Sequence, residues 1–213
     1  MERTLDRGAR NRGTMLLADI SGYTGFLRGV ETAHEALFDD ASEPPGAYAY
    51  VSRLLDGIVS SIVPPFRLIK FEGDAVFATA DTSDPQIHGP ALPERLRATL
   101  AAFDVGLAAA RAESTCACGS CARIQELGLK FVVHHGQYIT QRIAGHEELA
   151  GPDVIVAHRL LKNHARDVIG AGPYALITDA ALALLETPAD AMVRTTETYD
   201  DLPAVPVHIL PLA

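Results

Sequence analysis

The sequence predicts an α+β fold in one domain. Three observations carry that prediction. Apolar runs of strand length are interspersed with longer stretches whose apolar residues recur at helical spacing. Two of the strand-like runs, Phe66 to Phe71 and Ala75 to Ala80, are separated only by Glu72, Gly73 and Asp74, which reads as a tight hairpin. The 213 residues, 48% of them apolar and 21% charged, suffice for one buried core.

Taken in order, residues 1–13 are polar and rich in Arg and Gly, and read as a loose arm before a single domain over 14–213. Thr14 to Ile20 is a buried strand whose apolar run ends at Asp19. Ser21 and Gly22 break it, and Ser21 can cap a helix from Tyr23 to about Leu37, with Phe26, Val30 and Ala33 on one face. Asp39 to Gly46 holds Pro44 and Pro45 and is a loop, its acidic residues Asp39, Asp40 and Glu43 exposed. Tyr48 to Val63 is a helix, because Val51, Leu54, Leu55, Ile58, Val59 and Ile62 follow a 3.6 period. Pro64 and Pro65 end it.

The hairpin follows, then a loop from Asp81 to Leu92. Pro93, at a first helical position, starts a long helix carrying Leu96, Leu100, Phe103, Leu107 and Ala110. A Cys-containing loop spans 114–122. Leu129 to Ile139 is a strand with Lys130, Val132 and His134 on one side and Phe131, Val133 and His135 on the other. Of the two histidines, one must face inward, where a buried imidazole needs a hydrogen-bond partner. Gly145 to Gly151 is a turn, Pro152 opens a helix to about Ala165, and Tyr174 to Thr178 is a strand. Asp179 caps a helix from Ala180 to Glu186. Val193 to Tyr199 and Val205 to Leu210 end the chain as a strand pair. Helices against a mostly antiparallel sheet in this order give a ferredoxin-like arrangement.

The net charge of −9 and the pI near 5.3 argue against nucleic-acid binding, which needs a basic face. They leave room for a small anion held by local donors and metal ions. No apolar run approaches the ~20 residues that span a bilayer, so no membrane contact is expected. The run Met15 to Ala18 stops at Asp19, which is too short for a signal peptide, and a cytoplasmic location is expected.

All three cysteines, Cys116, Cys118 and Cys121, lie within six residues of one another. A disulfide framework spreads its cysteines, whereas this spacing suits thiolate ligands of Zn²⁺ or a Cys-rich loop. Zn²⁺ takes four ligands, and the fourth is open between His88, His134, His146 and a residue of a partner chain.

Asp19 ends a strand just before a small-residue turn and a helix start at Ser21 to Thr24, where backbone N–H groups can hold a phosphate. Asp74 sits at the hairpin tip. If the two strands are neighbours, two hard oxygen ligands meet beside an anion-binding turn, an arrangement suited to Mg²⁺ or Mn²⁺ carrying a polyphosphate. On spacing alone, the same residues also serve as a helix cap and a turn residue.

Four segments carry a resemblance. Leu16-Leu17-Ala18-Asp19-Ile20-Ser21-Gly22-Tyr23-Thr24 resembles the first signature of class III nucleotidyl cyclases, an apolar strand ending in Ala-Asp-Ile-x-Gly-Phe-Thr. Lys70-Phe71-Glu72-Gly73-Asp74 is similar to their Lys-x-x-Gly-Asp hairpin. Phe131 to Gly136 resembles their Gly-Ile-His-x-Gly strand, and Gly151 to Leu160 their Gly-Asp-x-Val-Asn-x-Ala-x-Arg-Leu helix. The segments come in the family's order across about 14–165. The Cys cluster followed by Leu129-Lys130-Phe131, and His158-Arg159-Leu160-Leu161-Lys162-Asn163, look like a bacterial cyclase-like group of uncharacterised function, DUF2652.

The resemblance implies a class III cyclase fold and a site with named roles. Asp19 and Asp74, helped by the carbonyl of Ile20, would bind two Mg²⁺ or Mn²⁺ ions. Ser21, Gly22, Tyr23 and Thr24 would hold the β- and γ-phosphates. Lys70 and Glu148 would recognise the base, with ATP preferred over another NTP. Arg159 would stabilise the transition state. Such sites are shared between two chains, so a homodimer is implied. The family's transition-state Asn falls on Ile155, which has no hydrogen to donate; His158 and Asn163 are candidate substitutes. The implied reaction is slow conversion of an NTP to its 3′,5′-cyclic NMP. The alternatives are a catalytically degenerate nucleotide-binding or dimerisation module, and an interaction protein built around a Cys-ligated metal.

Overall fold

The computed structural model describes residues 8–35 and 44–212. Strand β1 (Ala9–Ser21) is its axis. It pairs antiparallel with β3 (Ala75–Ala80) on one side and β4 (Gly128–Ile143) on the other. Met15, Leu16, Leu17 and Ala18 are all fully buried, because both faces of the sheet are covered. A strand buried on both faces has no reason to alternate, which is why its apolar run is unbroken.

The remaining strands are β2 (Arg67–Glu72), β5 (His146–Ala150), β6 (Tyr174–Thr178), β7 (Val193–Tyr199) and β8 (Leu202–Pro211). The sheet order is β2-β3-β1-β4-β6-β8-β7, with β5 paired to β4 off this path. Every pairing is antiparallel except β4 with β6.

One face is covered by α1 (Tyr23–Ala33), α2 (Ala47–Ile62), α3 (Ala91–Glu113), the short α4 (Gly119–Ala122) and, after β6, α7 (Asp179–Leu185). Phe26, Val30, Val51, Leu54, Ile58, Leu96 and Phe103 pack there against Leu16, Phe131 and Val133. The other face is covered by α5 (Pro152–Arg159) and α6 (Ala165–Ile169), whose Val154, Ala157 and Ala165 pack with Met15, Leu17, Val132 and Leu176. Alternate β4 residues therefore feed two separate cores, as the period of two requires. The mixed α+β architecture, the β2–β3 hairpin and the apolar stripes of α2 and α3 match expectation.

Several boundaries differ. β1 begins at Ala9, so the arm loses 9–13 to pairing with β4 at Ala9↔Thr140 through Gly13↔Gly136, and residues 1–7 lie outside the described residues. Ser21 ends β1 and caps nothing; Gly22 holds the N-cap position of α1, and no side chain caps that helix. α1 ends at Ala33 with His34 as its C-cap, short of the expected Leu37; residues 36–37, and residues 39–43 of the acidic loop, lie outside the described residues. α3 starts at Ala91, two residues before Pro93, and α4 forms within the expected Cys loop.

The region expected as a turn at Gly145 to Gly151 is strand β5, folded back on an extended β4. The helix expected from Pro152 to Ala165 breaks after Arg159. The Asn163 side chain accepts from Ala165 N–H at 3.0 Å and donates to Leu160 O at 2.7 Å, so it competes with the helical ladder and starts α6 instead. Asp179 is not the cap of α7: Thr178 Oγ1 accepts from Ala181 N–H, and Asp179 is free to contact Arg194 and His208.

Candidate functional site

The β1–β3 pairing brings the two predicted carboxylates together. Asp19 lies opposite Ala75, the residue after Asp74, and Ile20 N–H donates to Asp74 O at 3.3 Å. Gly73 makes the tight turn possible with φ +63°. Burial pushes the Asp74 carboxyl above the usual carboxylate range, and the charge of Asp19 pushes it the same way.

Past Asp19 the chain reverses at Gly22, whose φ of +88° is left-handed, and enters α1 without a side-chain cap. The first N–H groups of an uncapped helix have no intrahelical partner and carry the positive end of its dipole. Here they face a cavity of about 590 Å³ lined by Asp19, Ile20, Ser21, Gly22, Tyr23, Thr24 and Asp74.

Cations line the same cavity. Lys130 is the register partner of Asp19, and cross-strand partners share a face. Its Nζ lies 3.1 Å from Asp19 Oδ2 and donates to Leu161 O at 2.8 Å. Lys162 and Arg166 also line the cavity and have no carboxylate partner among the described residues.

A second cavity, about 430 Å³, adjoins the first and is lined by Lys70, Glu72, Ile155, His158, Arg159 and Lys162. Glu72 and Lys162 belong to both walls. Lys70 Nζ lies 2.7 Å from Glu148 Oε2 and 3.1 Å from Glu72 Oε1. The hairpin tip on β2 and the β4–β5 hairpin thus bring together the two residues expected to read a base. Partial burial disfavours the Lys70 charge, but the hydrogen bonds it donates to Glu148 and Glu72 outweigh it and hold its pKa above the usual value.

His158 contacts Glu72 Oε1 at 2.8 Å through Nε2 and Val154 O at 2.7 Å through Nδ1. Both partners accept, an arrangement that favours a ring with both nitrogens donating. The hydrogen bond to Glu72 raises the His158 pKa, and the same bond lowers that of Glu72.

Ile155 is 54% exposed in this wall, one helical turn from the exposed Arg159. Neither candidate substitute for the missing Asn is free. His158 has both nitrogens engaged, and Asn163 Oδ1 accepts from Ala165 N–H and from Tyr174 Oη at 2.8 Å.

The cysteines converge, with a fourth residue that spacing did not suggest. His34, at the C-terminal end of α1, joins Cys116, Cys118 and Cys121 in a group able to hold a metal ion. The histidines expected as the fourth ligand are elsewhere: His88 contacts Thr82 O, His134 contacts Thr178, and His146 is exposed at the start of β5.

His134 Nδ1 lies 3.0 Å from Thr178 Oγ1, while its Nε2 is 3.5 Å from Asp153 Oδ1, beyond ordinary hydrogen-bond length. Both nitrogens of buried His135 lack a hydrogen-bond partner among the described residues, so the expectation of satisfied core histidines holds only for one nitrogen of His134. Burial lowers the pKa of both rings.

Sequence reasoning missed Lys130, Glu72, Arg166 and His34 as members of these clusters. The repeated cations of Arg159, Lys162 and Arg166 were a legible hint for one of them. No spacing rule links His34 to a cysteine 82 residues later.

The architecture is that of class III nucleotidyl cyclase catalytic domains. It superposes on a bacterial light-regulated adenylyl cyclase with a TM-score of 0.66 at 15% identity, covering 99% of this chain and 54% of that one, so the chain spans about half of that protein's length. It also matches the adenylyl cyclase CyaB from P. aeruginosa (TM-score 0.61, 16% identity, 96% of each chain) and the guanylyl cyclase Cya2 (0.60, 14%, 97% and 99%). Residues 51–168 match the family described as "Protein of unknown function (DUF2652)", and the chain belongs to that family. An uncharacterized protein of Mycobacterium tuberculosis, Rv2561/Rv2562, is 28% identical over 164 residues, 76% of this chain and 74% of its own. No helix among the described residues is long and apolar enough to cross a membrane.

Proposed function

We propose that this chain is a cyclase-like protein that binds an NTP, with ATP preferred, and two Mg²⁺ or Mn²⁺ ions at a homodimer interface, and converts the nucleotide slowly to 3′,5′-cyclic NMP and pyrophosphate. The observation that carries this reading is the convergence of Asp19 and Asp74 at the uncapped N-terminus of α1, in a cavity also lined by Lys162 and Arg166, which have no carboxylate partner among the described residues. The carboxylates fit a metal on their own chemistry. They are close enough for Asp19 to raise the Asp74 pKa, and the ammonium of Lys130 already sits against Asp19. Asp19, Asp74 and the carbonyl of Ile20 would hold the ions, which supply charge neutralisation and acidify the ribose 3′-hydroxyl.

The rest falls to the chain's own groups. The N–H groups of Ser21 to Thr24 bind the β- and γ-phosphates. Lys70, held by Glu148 and Glu72, presents a fixed donor to the base. Arg159, exposed on α5, offers its guanidinium to the α-phosphate of a nucleotide held mainly by the partner chain. The 3′-oxygen attacks the α-phosphorus, and the bond to the bridging oxygen of pyrophosphate breaks. The thiolate cluster at Cys116, Cys118 and Cys121 is a separate centre and takes Zn²⁺.

A second reading, a degenerate nucleotide-binding or dimerisation module, is favoured by Ile155 together with the commitment of His158 and Asn163 to other partners. Thermal denaturation with Mn²⁺ and each of four NTPs tests the binding step. The expected result is stabilisation by at least one nucleotide that disappears in Asp19→Ala and Asp74→Ala. No stabilisation by any nucleotide overturns both readings. Analysis for cyclic product then separates enzyme from module.

A further inference from the structure

We infer that His34, Cys116, Cys118 and Cys121 form a complete Cys₃His zinc site that staples the C-terminal end of α1 to the loop leading into β4. Their ligand atoms all lie within 4.8 Å of one another. A tetrahedral ion with Zn–S near 2.3 Å and Zn–N near 2.0 Å needs ligand atoms about 3.5–3.8 Å apart, so only small side-chain adjustments separate this arrangement from ligation.

The imidazole is already set in the ligating tautomer. His34 Nδ1 lies 2.9 Å from Val30 O, and a carbonyl only accepts, so Nδ1 carries the hydrogen. In the neutral ring this leaves the lone pair on Nε2, which lies 3.3 Å from Cys116 Sγ. A histidine that donates its distal N–H to a backbone carbonyl is the usual outer-shell arrangement of a metal ligand. One sulfur already has an outer-shell donor: Cys121 N–H donates to Cys118 Sγ at 3.2 Å. None of the three cysteines forms a disulfide.

Ligand type and closure select the ion and its role. Three thiolates and one imidazole suit Zn²⁺ over hard cations. Four protein ligands leave no position for water or substrate, which marks a structural rather than a catalytic ion. Cys121 is buried and the other three are half-buried, so the centre is sheltered.

The staple spans elements far apart in sequence. β1 fixes the N-terminal end of α1 at Gly22, and the ion would fix the other end. Between them α1 lies along α4, where Gly29 leaves room for Ser120: a Cβ at Gly29 would stand 3.3 Å from Ser120 Oγ. Both ends of α1 are then set, and with them the direction of the N–H groups at Ser21 to Thr24. That last consequence rests on the nucleotide reading; the zinc site does not.

The test uses the full chain produced without a histidine tag and purified without chelators. Elemental analysis is expected to find about one zinc per chain. Cobalt exchanged into the site should give thiolate-to-metal charge-transfer absorption and intense tetrahedral d–d bands. In competition with a chromophoric chelator, His34→Ala should weaken zinc binding by roughly 100-fold or more, whereas His34→Cys, which supplies a fourth thiolate, should retain it. A purely packing role for the imidazole predicts neither the loss nor the rescue. Less than a tenth of an equivalent of zinc in wild-type protein from zinc-supplemented growth, or unchanged affinity in His34→Ala, overturns the proposal. Metal content is measured without nucleotide, so the outcome is independent of whether any NTP binds.

Discussion

The carboxylate of Asp153 occupies the space that a Cβ on Gly136 would need, and from there it accepts Gln137 N–H at 2.6 Å. Two motif segments, the β4 strand and the start of α5, are locked together by a residue that has no side chain. Gly136→Ala must displace Asp153 or the strand. Overpacking of this kind costs about 1–3 kcal/mol. Asp153→Ala alone should cost about 1 kcal/mol for one lost hydrogen bond. Chemical denaturation of both single variants and the double variant checks the relationship. The double variant should be more stable than the sum of the singles predicts, and simple additivity would show that the two residues do not compete for space.

Lys130 and Asp19 form a largely buried cross-strand pair, with side chains 18% and 17% exposed. Lys130→Met removes the ammonium paired with Asp19 and leaves that carboxylate beside Asp74. Leaving a buried charged group unpaired costs on the order of 1–3 kcal/mol or more. The metal-free variant should therefore melt below the wild type. If the carboxylates bind divalent ions, Mn²⁺ should restore more stability to the variant than it adds to the wild type. An equal Mn²⁺ shift in both proteins would place the ion elsewhere.

The Glu72–His158 pair makes stability depend on pH from both sides. Its hydrogen bond raises the folded His158 pKa above the ordinary 6.5, so that contribution is whole below 6.5 and is lost as pH rises through the raised value. The folded Glu72 pKa is below the ordinary 4.5, so its contribution is present above 4.5 and is lost as pH falls through the lowered value. The pair therefore contributes most between 4.5 and 6.5. Glu72→Gln should move the His158 titration, followed by NMR, downward, lower the melting temperature inside that window and weaken its fall on either side. An unmoved titration would mean that the contact does not persist in solution.

Ile155 sits exposed in the same wall as Lys70 and Arg159, so Ile155→Asn adds a donor without disturbing a core. If the site is a cyclase limited by that missing donor, formation of cyclic nucleotide should rise by on the order of 10²-fold, the effect of one well-placed transition-state hydrogen bond. Nucleotide-dependent stabilisation should change little. Unchanged product formation alongside intact nucleotide binding would favour the module reading.

Much of the fold was legible in the sequence because the signals were local. The unbroken apolar run of Met15 to Ala18, the stripes of α2 and α3 and the Gly73 turn each follow from a few neighbouring residues. Asp19 and Asp74 were legible as a pair only on the condition that their strands adjoin, which the Asp19↔Ala75 register satisfies. The misplaced boundaries had causes outside the local pattern. β5 forms because β4 runs on to Ile143 and offers it a partner. α5 stops at Arg159 because Asn163 diverts the backbone into a new helix start.

By itself the sequence determined the order of the main elements, the positions of the carboxylates Asp19 and Asp74 and the clustering of the thiols, since all of these are set by residues near one another in the chain. Only the tertiary structure decided which distant side chains share those places. Glu148 meets Lys70 across two hairpins, Lys130 meets Asp19 across a strand pair, and His34 meets the cysteines at the far end of α1. The physical reason is the same in each case. Charges and ligands separated by tens of residues interact only after the sheet register and the helix packing have brought their atoms within a few ångströms, and neither quantity is carried by any short stretch of the chain.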